Sequence, residues 1–176
     1  MRAKIEGHTD TVNSVEIVNG AEEFSGNQDG CLLSASDDGT ARIWDLRTNK
    51  GVVLLKHEGQ EVVKAKYMYG AKGVLTATGT AINLFDLRKP SLVVQSTASI
   101  DKHQDEVNDI DLFDMSVATQ NKFWVGSCDD TGALLVHEMN LGETRFEVEN
   151  TWTCNTKHSS ICYKTIASVS ADQPLP

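Results

Sequence analysis

The sequence predicts an all-β protein built from a repeated unit of short antiparallel strands. Two markers recur with one period, and the stretches between them alternate apolar and polar residues as half-buried strands do. The first marker, a histidine followed by polar residues and a short apolar run, recurs at intervals of 49, 46 and 55 residues. It begins at His8, His57, His103 and His158. The second marker is an Asp-Asp turn at Asp37 and Asp129, 92 residues apart, so the two markers share a period near 46.

Each unit offers about four short strands. The strands expected in the first unit are residues 12–17, 32–36, 40–44 and 52–55, with a hairpin turn at 37–39. The strands expected next are residues 74–78, 81–85 and 92–94 in the second unit and 107–112 in the third. Of the three prolines, two lie in the last three positions, so the expected strands are largely uninterrupted. Four-stranded antiparallel units of this length are typical of propeller blades.

The markers divide the chain into three complete units and the beginning of a fourth. The units are residues 7–56, 57–102, 103–157 and, incomplete, 158–176. Because propellers close with about four to eight blades, we expect an incomplete ring. We interpret the chain as a truncated fragment or splice form of a longer propeller; an arc completed by a second chain and a poorly soluble monomer are the alternatives. Residues 20–30 are too long and polar for a tight turn and are expected to form a surface loop.

Composition and charge exclude several classes of function. The chain has 176 residues, a formal net charge of -9 and an apolar fraction of 40%. The negative charge argues against binding to nucleic acid, which requires a basic face. No run approaches the roughly 18 consecutive apolar residues of a membrane span, and the first residues lack the apolar core of a secretory signal. We therefore expect an intracellular protein, cytoplasmic or nuclear, with neither membrane nor nucleic acid as a partner.

The sequence also argues against an enzyme. It contains no G-x-S-x-G, H-E-x-x-H, P-loop or G-x-G-x-x-G motif. The Asp-Asp pairs could act as acid–base carboxylates, but each lies at a hairpin turn, where aspartate is favoured by turn chemistry. Four of the five histidines begin a repeat unit, so a structural role is simpler than catalysis or metal binding. We expect no catalytic residue, metal or cofactor.

The first unit resembles a repeat of the WD-repeat propeller family. Gly7-His8 opens this unit and Trp44-Asp45 closes it, as the Gly-His and Trp-Asp signatures do in that family. The resemblance implies a hydrogen-bonded tetrad within the blade. Its members would be His8, Ser36, Asp38 and Trp44. Such a network would satisfy the buried indole N–H and the buried carboxylate.

The later units depart from this pattern. In the second unit Phe85-Asp86 replaces Trp-Asp, and Ala77 and Gly79 occupy the expected serine and aspartate positions, so we expect no tetrad there. In the third unit His137-Glu138 occupies the signature, or residues 136–137 if the hairpin is one residue shorter. Asp130 is expected to meet His103 in that unit.

A second signature follows the third strand of the first unit. Trp44, Asp45 and Arg47 form W-D-x-R, which Asp86 and Arg88 echo in the second unit. In the WD-repeat family this motif resembles the box associated with docking onto the damaged-DNA-binding adaptor of a cullin-RING ubiquitin ligase. The resemblance implies an interaction scaffold, acting as a substrate receptor, in which arginine offers a planar donor fork to the adaptor.

Two alternatives remain open for the arginines and for the chain. In the other reading, Arg47 and Arg88 are ordinary solvated residues that follow a strand. The chain would then be a WD-repeat scaffold of another complex, in chromatin, trafficking or ribosome biogenesis, with no ubiquitin link. The acidic runs at residues 22–23 and 143–149 would favour basic protein partners.

Overall fold

The computed structural model describes residues 4–19, 24, 30–69, 71–88, 91–114, 122–141 and 146–155. Thirteen strands lie within these ranges. In chain order they are β1 (Val12–Val18), β2 (Cys31–Ser36), β3 (Thr40–Asp45), β4 (Lys50–Lys56), β5 (Lys64–Met68), β6 (Gly73–Thr78), β7 (Ala81–Asp86), β8 (Val93–Val94), β9 (Ala98–Asp101), β10 (Val107–Asp114), β11 (Lys122–Asp129), β12 (Ala133–Leu141) and β13 (Phe146–Asn155). In the described segments there is no helix long and apolar enough to cross a membrane.

The strands form three sheets, and each sheet contains a four-stranded antiparallel meander, to which the first sheet adds β8 as a fifth strand. The first sheet has the order β1-β2-β3-β4-β8, the second β5-β6-β7-β9 and the third β10-β11-β12-β13. This arrangement confirms the predicted all-β fold of four-stranded antiparallel blades in a partial propeller. The expected fourth unit, residues 158–176, and most of the expected loop at 20–30 lie outside the described residues.

One strand lies in a different sheet from the one predicted. Residues 92–94 were expected to complete the second unit, but β8 pairs in parallel with β4 and becomes a fifth strand of the first sheet. The fourth strand of the second sheet is β9, which the sequence analysis missed. The pairing of β8 is non-local, so alternation of apolar residues could predict a strand there but not its neighbour.

The sheets pack face to face through two apolar cores. The first core joins the first and second sheets and includes Leu33, Ile43 and Leu55 from one side and Val74 and Phe85 from the other. The second core joins the second and third sheets and includes Leu75, Leu84, Phe123, Val125 and Met139. The second sheet is therefore covered on both faces, which explains why all six residues of β6 are buried.

The first strands of the three sheets contact one another through polar groups. The backbone N–H of Tyr67 on β5 donates to the Glu16 carboxylate on β1 at 3.0 Å. Lys66, also on β5, forms an ion pair with Asp111 on β10 at 3.2 Å. Burial lowers the pKa of Lys66, but the charges of Asp111 and Glu16 outweigh this effect and raise it. Glu16, Lys66 and Asp111 thus link β1, β5 and β10 of the three sheets.

We predict that Leu33→Ala lowers the free energy of unfolding by about 2–5 kcal/mol, since Leu33 is fully buried in the first core. Leu92→Ala is the matched control, because Leu92 is 69% exposed and its truncation should cost less than about 0.5 kcal/mol. Urea unfolding of both variants measures the difference. Equal effects of the two substitutions would contradict the described packing.

Candidate functional site

A hydrogen-bonded network links four parts of the first sheet. We define the first-sheet network as His8, Ser34, Asp38 and Trp44. The Ser34 hydroxyl oxygen accepts the Trp44 indole N–H at 2.8 Å. The His8 ring lies between two partners, with Nε2 at 2.7 Å from Ser34 Oγ and Nδ1 at 2.8 Å from Asp38 Oδ2. The network therefore joins the segment before β1, the strands β2 and β3, and the turn between them.

The sequence predicts Ser36 as the hydroxyl of this network. In the structure the hydroxyl belongs to Ser34 instead. The two serines share one face of β2, but register separates their positions. Ser34 lies opposite Arg42, two residues from Trp44, whereas Ser36 lies opposite Thr40 beside the turn. Ser36 Oγ instead accepts the Asp38 backbone N–H at 3.1 Å. The described network thus holds His8, Asp38 and Trp44 of the predicted tetrad, with Ser34 in the place expected for Ser36.

Asp38 is held as a carboxylate by several donors. One oxygen accepts the Thr40 backbone N–H at 3.0 Å, and the other accepts the Thr9 backbone N–H at 3.1 Å in addition to the His8 contact. Burial raises the pKa of Asp38, but the hydrogen bonds from Thr40, His8 and Thr9 outweigh it and hold the pKa at about 2. The turn after β2 is thus fixed by a buried negative charge.

The Trp44 ring is enclosed on its outer side. The Arg42 guanidinium lies over the ring at 5.7 Å from its centroid, and the His8 ring meets its edge at 5.7 Å. Gly7 approaches so closely that a Cβ there would lie 2.7 Å from Trp44 Cη2. The Gly-His signature therefore has a steric reason, because only glycine lets the chain pass this ring before His8.

The second sheet retains only part of the network. His57 Nε2 lies 3.2 Å from Thr76 Oγ1, and the His57 ring meets the Phe85 ring edge-on at 5.1 Å. Thr76, which the sequence analysis missed, lies opposite Asn83, two residues from Phe85, in the register that Ser34 has in the first sheet. Burial lowers the pKa of His57 to about 4.

In the third sheet one histidine, His103, has both an aspartate and a serine partner. The aspartate is not the one that the sequence predicts. His103 Nδ1 lies 2.9 Å from Asp129 Oδ2, and Nε2 lies 2.7 Å from Ser127 Oγ. Asp130, the predicted partner, instead accepts the Asn108 side-chain N–H at 2.6 Å. The reason is the longer strand: β11 continues to Asp129, and alternate residues share a face, so Asp129 points the same way as Ser127.

His137 occupies the position that Trp44 has in the first sheet. His137 lies opposite Val125 on β11, and Leu135, two residues earlier on β12, lies opposite Ser127. The His137 side chain is fully buried. Burial, and then the charges of His103 and Lys102, lower the pKa of His137 to about 4. This register supports the reading in which His137-Glu138 fills the signature.

The two strand-end arginines differ in how they are held. Asp45 Oδ1 accepts the backbone N–H groups of Arg47 and Thr48 at 2.8 and 3.3 Å, which fixes the turn after β3. The Arg47 side chain is 54% exposed, and its guanidinium meets Asp45 Oδ2 at 3.5 Å. Burial raises the pKa of Asp45, but its hydrogen bonds to Arg47 and Thr48 outweigh it and lower the pKa.

Arg88 is bound tightly to its own turn. Its Nε donates to Asp86 Oδ1 at 2.9 Å and its Nη2 donates to Oδ2 at 2.7 Å. The Arg88 side chain is 27% exposed, and the hydrogen bonds to Asp86 raise its pKa. The guanidinium fork of Arg88 is thus occupied by Asp86, whereas that of Arg47 faces solvent.

The described residues hold no candidate metal centre. Among them there is no group of three or more histidine, cysteine, aspartate or glutamate side chains that could hold a metal ion. Each histidine and aspartate of the networks is committed to a partner within its own sheet. Among the residues that the structure describes, the turn after β3 presents Arg47 with its charged side chain about half exposed.

Comparisons with known proteins match this sequence to WD-repeat proteins. Residues 1–45 match the family described as "WD domain, G-beta repeat". The chain is 27% identical over 163 residues to the WD repeat-containing protein 53 homolog of Dictyostelium discoideum, covering 92% of this chain and 39% of that protein. It is 37% identical over 62 residues to the ribosome biogenesis protein YTM1 of Scheffersomyces stipitis, covering 35% of this chain and 12% of that protein. The chain therefore spans well under half the length of either relative.

We predict that Ser34→Ala lowers the free energy of unfolding by about 1–3 kcal/mol, because Trp44 and His8 both lose their partner. The resonance of the Trp44 indole N–H should also shift and its exchange with solvent should accelerate. Ser36→Ala serves as the matched control, because it removes a hydroxyl from the same strand face and leaves the indole bonded. An unchanged indole resonance in Ser34→Ala would contradict the described network.

We predict that stability falls as the pH drops from about 6.5 toward 4. His57 and His137 have pKa values lowered to about 4 in the fold from 6.5, so in this window the unfolded chain binds more protons. His57→Gln should reduce the slope by up to about 1.4 kcal/mol per pH unit, with His137 supplying the remainder. The stability that the Asp38 carboxylate contributes is lost only at lower pH, as the pH falls below 3.8 toward its pKa of about 2 in the fold. Urea unfolding between pH 7 and pH 4 measures this, and a slope unchanged by His57→Gln would refute it.

Proposed function

Because the chain belongs to the WD-repeat family, we propose that it is a non-enzymatic protein-interaction scaffold that docks through Arg47 on the damaged-DNA-binding adaptor of a cullin-RING ubiquitin ligase. WD repeats mediate protein–protein contacts, and in this role the chain would present a bound substrate protein to the ligase. We place it inside the cell, in cytoplasm or nucleus, with other proteins as its partners.

The exposure of Arg47 on a rigid turn carries this proposal. Trp44 is buried and tied to Ser34, so the end of β3 is fixed. Asp45, itself buried, binds the backbone of the turn and sets the direction in which Arg47 leaves it. The side chain that emerges offers a planar fork of donors, which matches a carboxylate or a pair of carbonyl oxygens on a partner.

The same reasoning assigns a lesser role to the echo of the motif. Arg88 already donates through Nε and Nη2 to Asp86, so docking would have to break a short bidentate ion pair. Arg47 would give up one contact of 3.5 Å. Of the two arginines that the sequence analysis proposed, Arg47 is therefore the docking residue, and Arg88 stabilises its own turn.

The alternative function is a scaffold of another assembly, such as a ribosome-biogenesis, chromatin or trafficking complex. The similarity of 62 residues to a ribosome biogenesis protein favours the first of these. The net charge of -9 would suit the basic proteins of such a complex. In this case Arg47 would contribute nothing to capture of the adaptor.

We predict that Arg47→Ala weakens binding to the purified adaptor at least about tenfold, as expected for a central arginine of an interface. Arg88→Ala is the matched control, because it removes the same side chain from the equivalent turn of the neighbouring sheet and should change the affinity less than about twofold. Titration calorimetry with the wild-type chain and both variants gives the three affinities.

Circular dichroism and the unfolding midpoint establish that each variant is folded. Equal affinities for the wild-type chain and Arg47→Ala, or no binding by the wild-type chain, would exclude docking through W-D-x-R. Affinity purification followed by mass spectrometry then separates the two functions: recovery of a pre-ribosomal complex without a cullin supports the alternative.

A further inference from the structure

The outer edge of the first sheet is covered by a strand that belongs to the second unit. Residues 87–97 connect β7 to β9, which are antiparallel neighbours in the second sheet. Such neighbours are ordinarily joined by about two to five residues. Here the connection leaves the second sheet, runs beside β4 as β8 and then returns. The excursion is longer than the topology requires, so it calls for a reason of its own.

The contact between β8 and β4 is a parallel ladder with defined partners. Leu54 lies opposite Val93 and Leu55 opposite Val94, and the Leu54 N–H donates to the Leu92 carbonyl at 2.8 Å. In a parallel ladder of this register, the Val94 N–H returns to the Leu54 carbonyl, whereas the Val93 N–H points away from β4. The two valines therefore have distinct roles in the backbone pairing.

The side chains divide in the same way. Val94 is 8% exposed and belongs to the first core together with Leu55 and Val53. Leu92 and Val93 remain 69% and 41% exposed. Val94 is thus the buried apolar residue that anchors β8. The preceding Leu92 and Val93 lie on the surface although they are apolar.

The edge that β8 covers is apolar and long. β4 has seven residues, and its central run of residues 52–55 consists of two valines and two leucines between Lys50 and Lys56. An open edge of this composition presents unpaired N–H and C=O groups and readily accepts a further strand. β8 lies against Leu54 and Leu55, in the apolar part of that edge.

We propose that β8 is a guard strand: it occupies the outer edge of the first sheet, which would otherwise pair with a strand from a second copy of this chain. The occupant of the exposed edge would be the apolar run of another molecule, because that run supplies both an extended backbone and side chains for the site of Val94. The role of β8 is independent of the docking role of Arg47, and each fails or stands without the other.

The experiment compares two proline substitutions in the full chain. Val94→Pro removes the N–H that the ladder uses and disturbs the anchor, whereas Val93→Pro removes an N–H that points away from β4. Hydrogen exchange at the Leu54 amide measures occupancy of the edge. Light scattering over a range of protein concentrations measures association, and exchange at Leu33, in the central strand β2, shows that the sheet is folded.

The guard role predicts that Val94→Pro loses protection at Leu54 at least about tenfold, keeps it at Leu33 and associates as the concentration rises. Val93→Pro should match the wild-type chain in all three measurements. A synthetic peptide of residues 91–97, added in excess, should restore protection and reverse the association.

Two results would overturn the proposal: wild-type protection at Leu54 in Val94→Pro, or lost protection without any association. Val94→Ala keeps the ladder N–H and shortens the anchor, and it serves if the proline variant exposes Leu33. It should then show the same changes to a smaller degree, and wild-type behaviour of this milder variant would also overturn the guard role.

Discussion

The arrangement of the first sheet depends on one hydroxyl oxygen, that of Ser34. It receives the indole N–H of Trp44 and lies within hydrogen-bond distance of the His8 ring, whose other nitrogen reaches Asp38. A buried indole N–H or carboxylate without a partner would cost about 1–3 kcal/mol, so these groups are stable inside the protein only together. The same network fixes the end of β3, and with it the turn that carries Arg47.

The sequence was sufficient to predict the repeat and its antiparallel strands, because alternation and turn residues are local signals. It was insufficient wherever register decided the outcome. Ser34 and Ser36 share a strand face, and Asp129 and Asp130 share a turn, so only the strand pairing shows which member meets the histidine. The placement of β8 was unpredictable for a related reason, since its partner β4 lies about forty residues earlier in the chain.

The two arginine motifs show a further limit of sequence reasoning. W-D-x-R and F-D-x-R place an arginine two residues after an aspartate, and the printed residues give no reason to separate them. In the structure Asp86 accepts hydrogen bonds from both Nε and Nη2 of Arg88. Asp45 instead makes its shorter hydrogen bond to the backbone N–H of Arg47, whose side chain is about half exposed. The distinction between a docking residue and a structural one lies in this geometry.

The most direct test of the account is the tautomer of His8. Because the Asp38 carboxylate can only accept, the neutral His8 ring must carry its proton on Nδ1 and donate it to Asp38. Nε2 then accepts the hydroxyl proton of Ser34, whose oxygen accepts the Trp44 indole N–H. Nitrogen-15 spectra of the imidazole at about pH 8 measure this directly. The account predicts a protonated Nδ1 and an unprotonated Nε2 for His8 in the wild-type chain. The opposite tautomer would contradict the network, and with it the fixed turn on which the docking role of Arg47 depends.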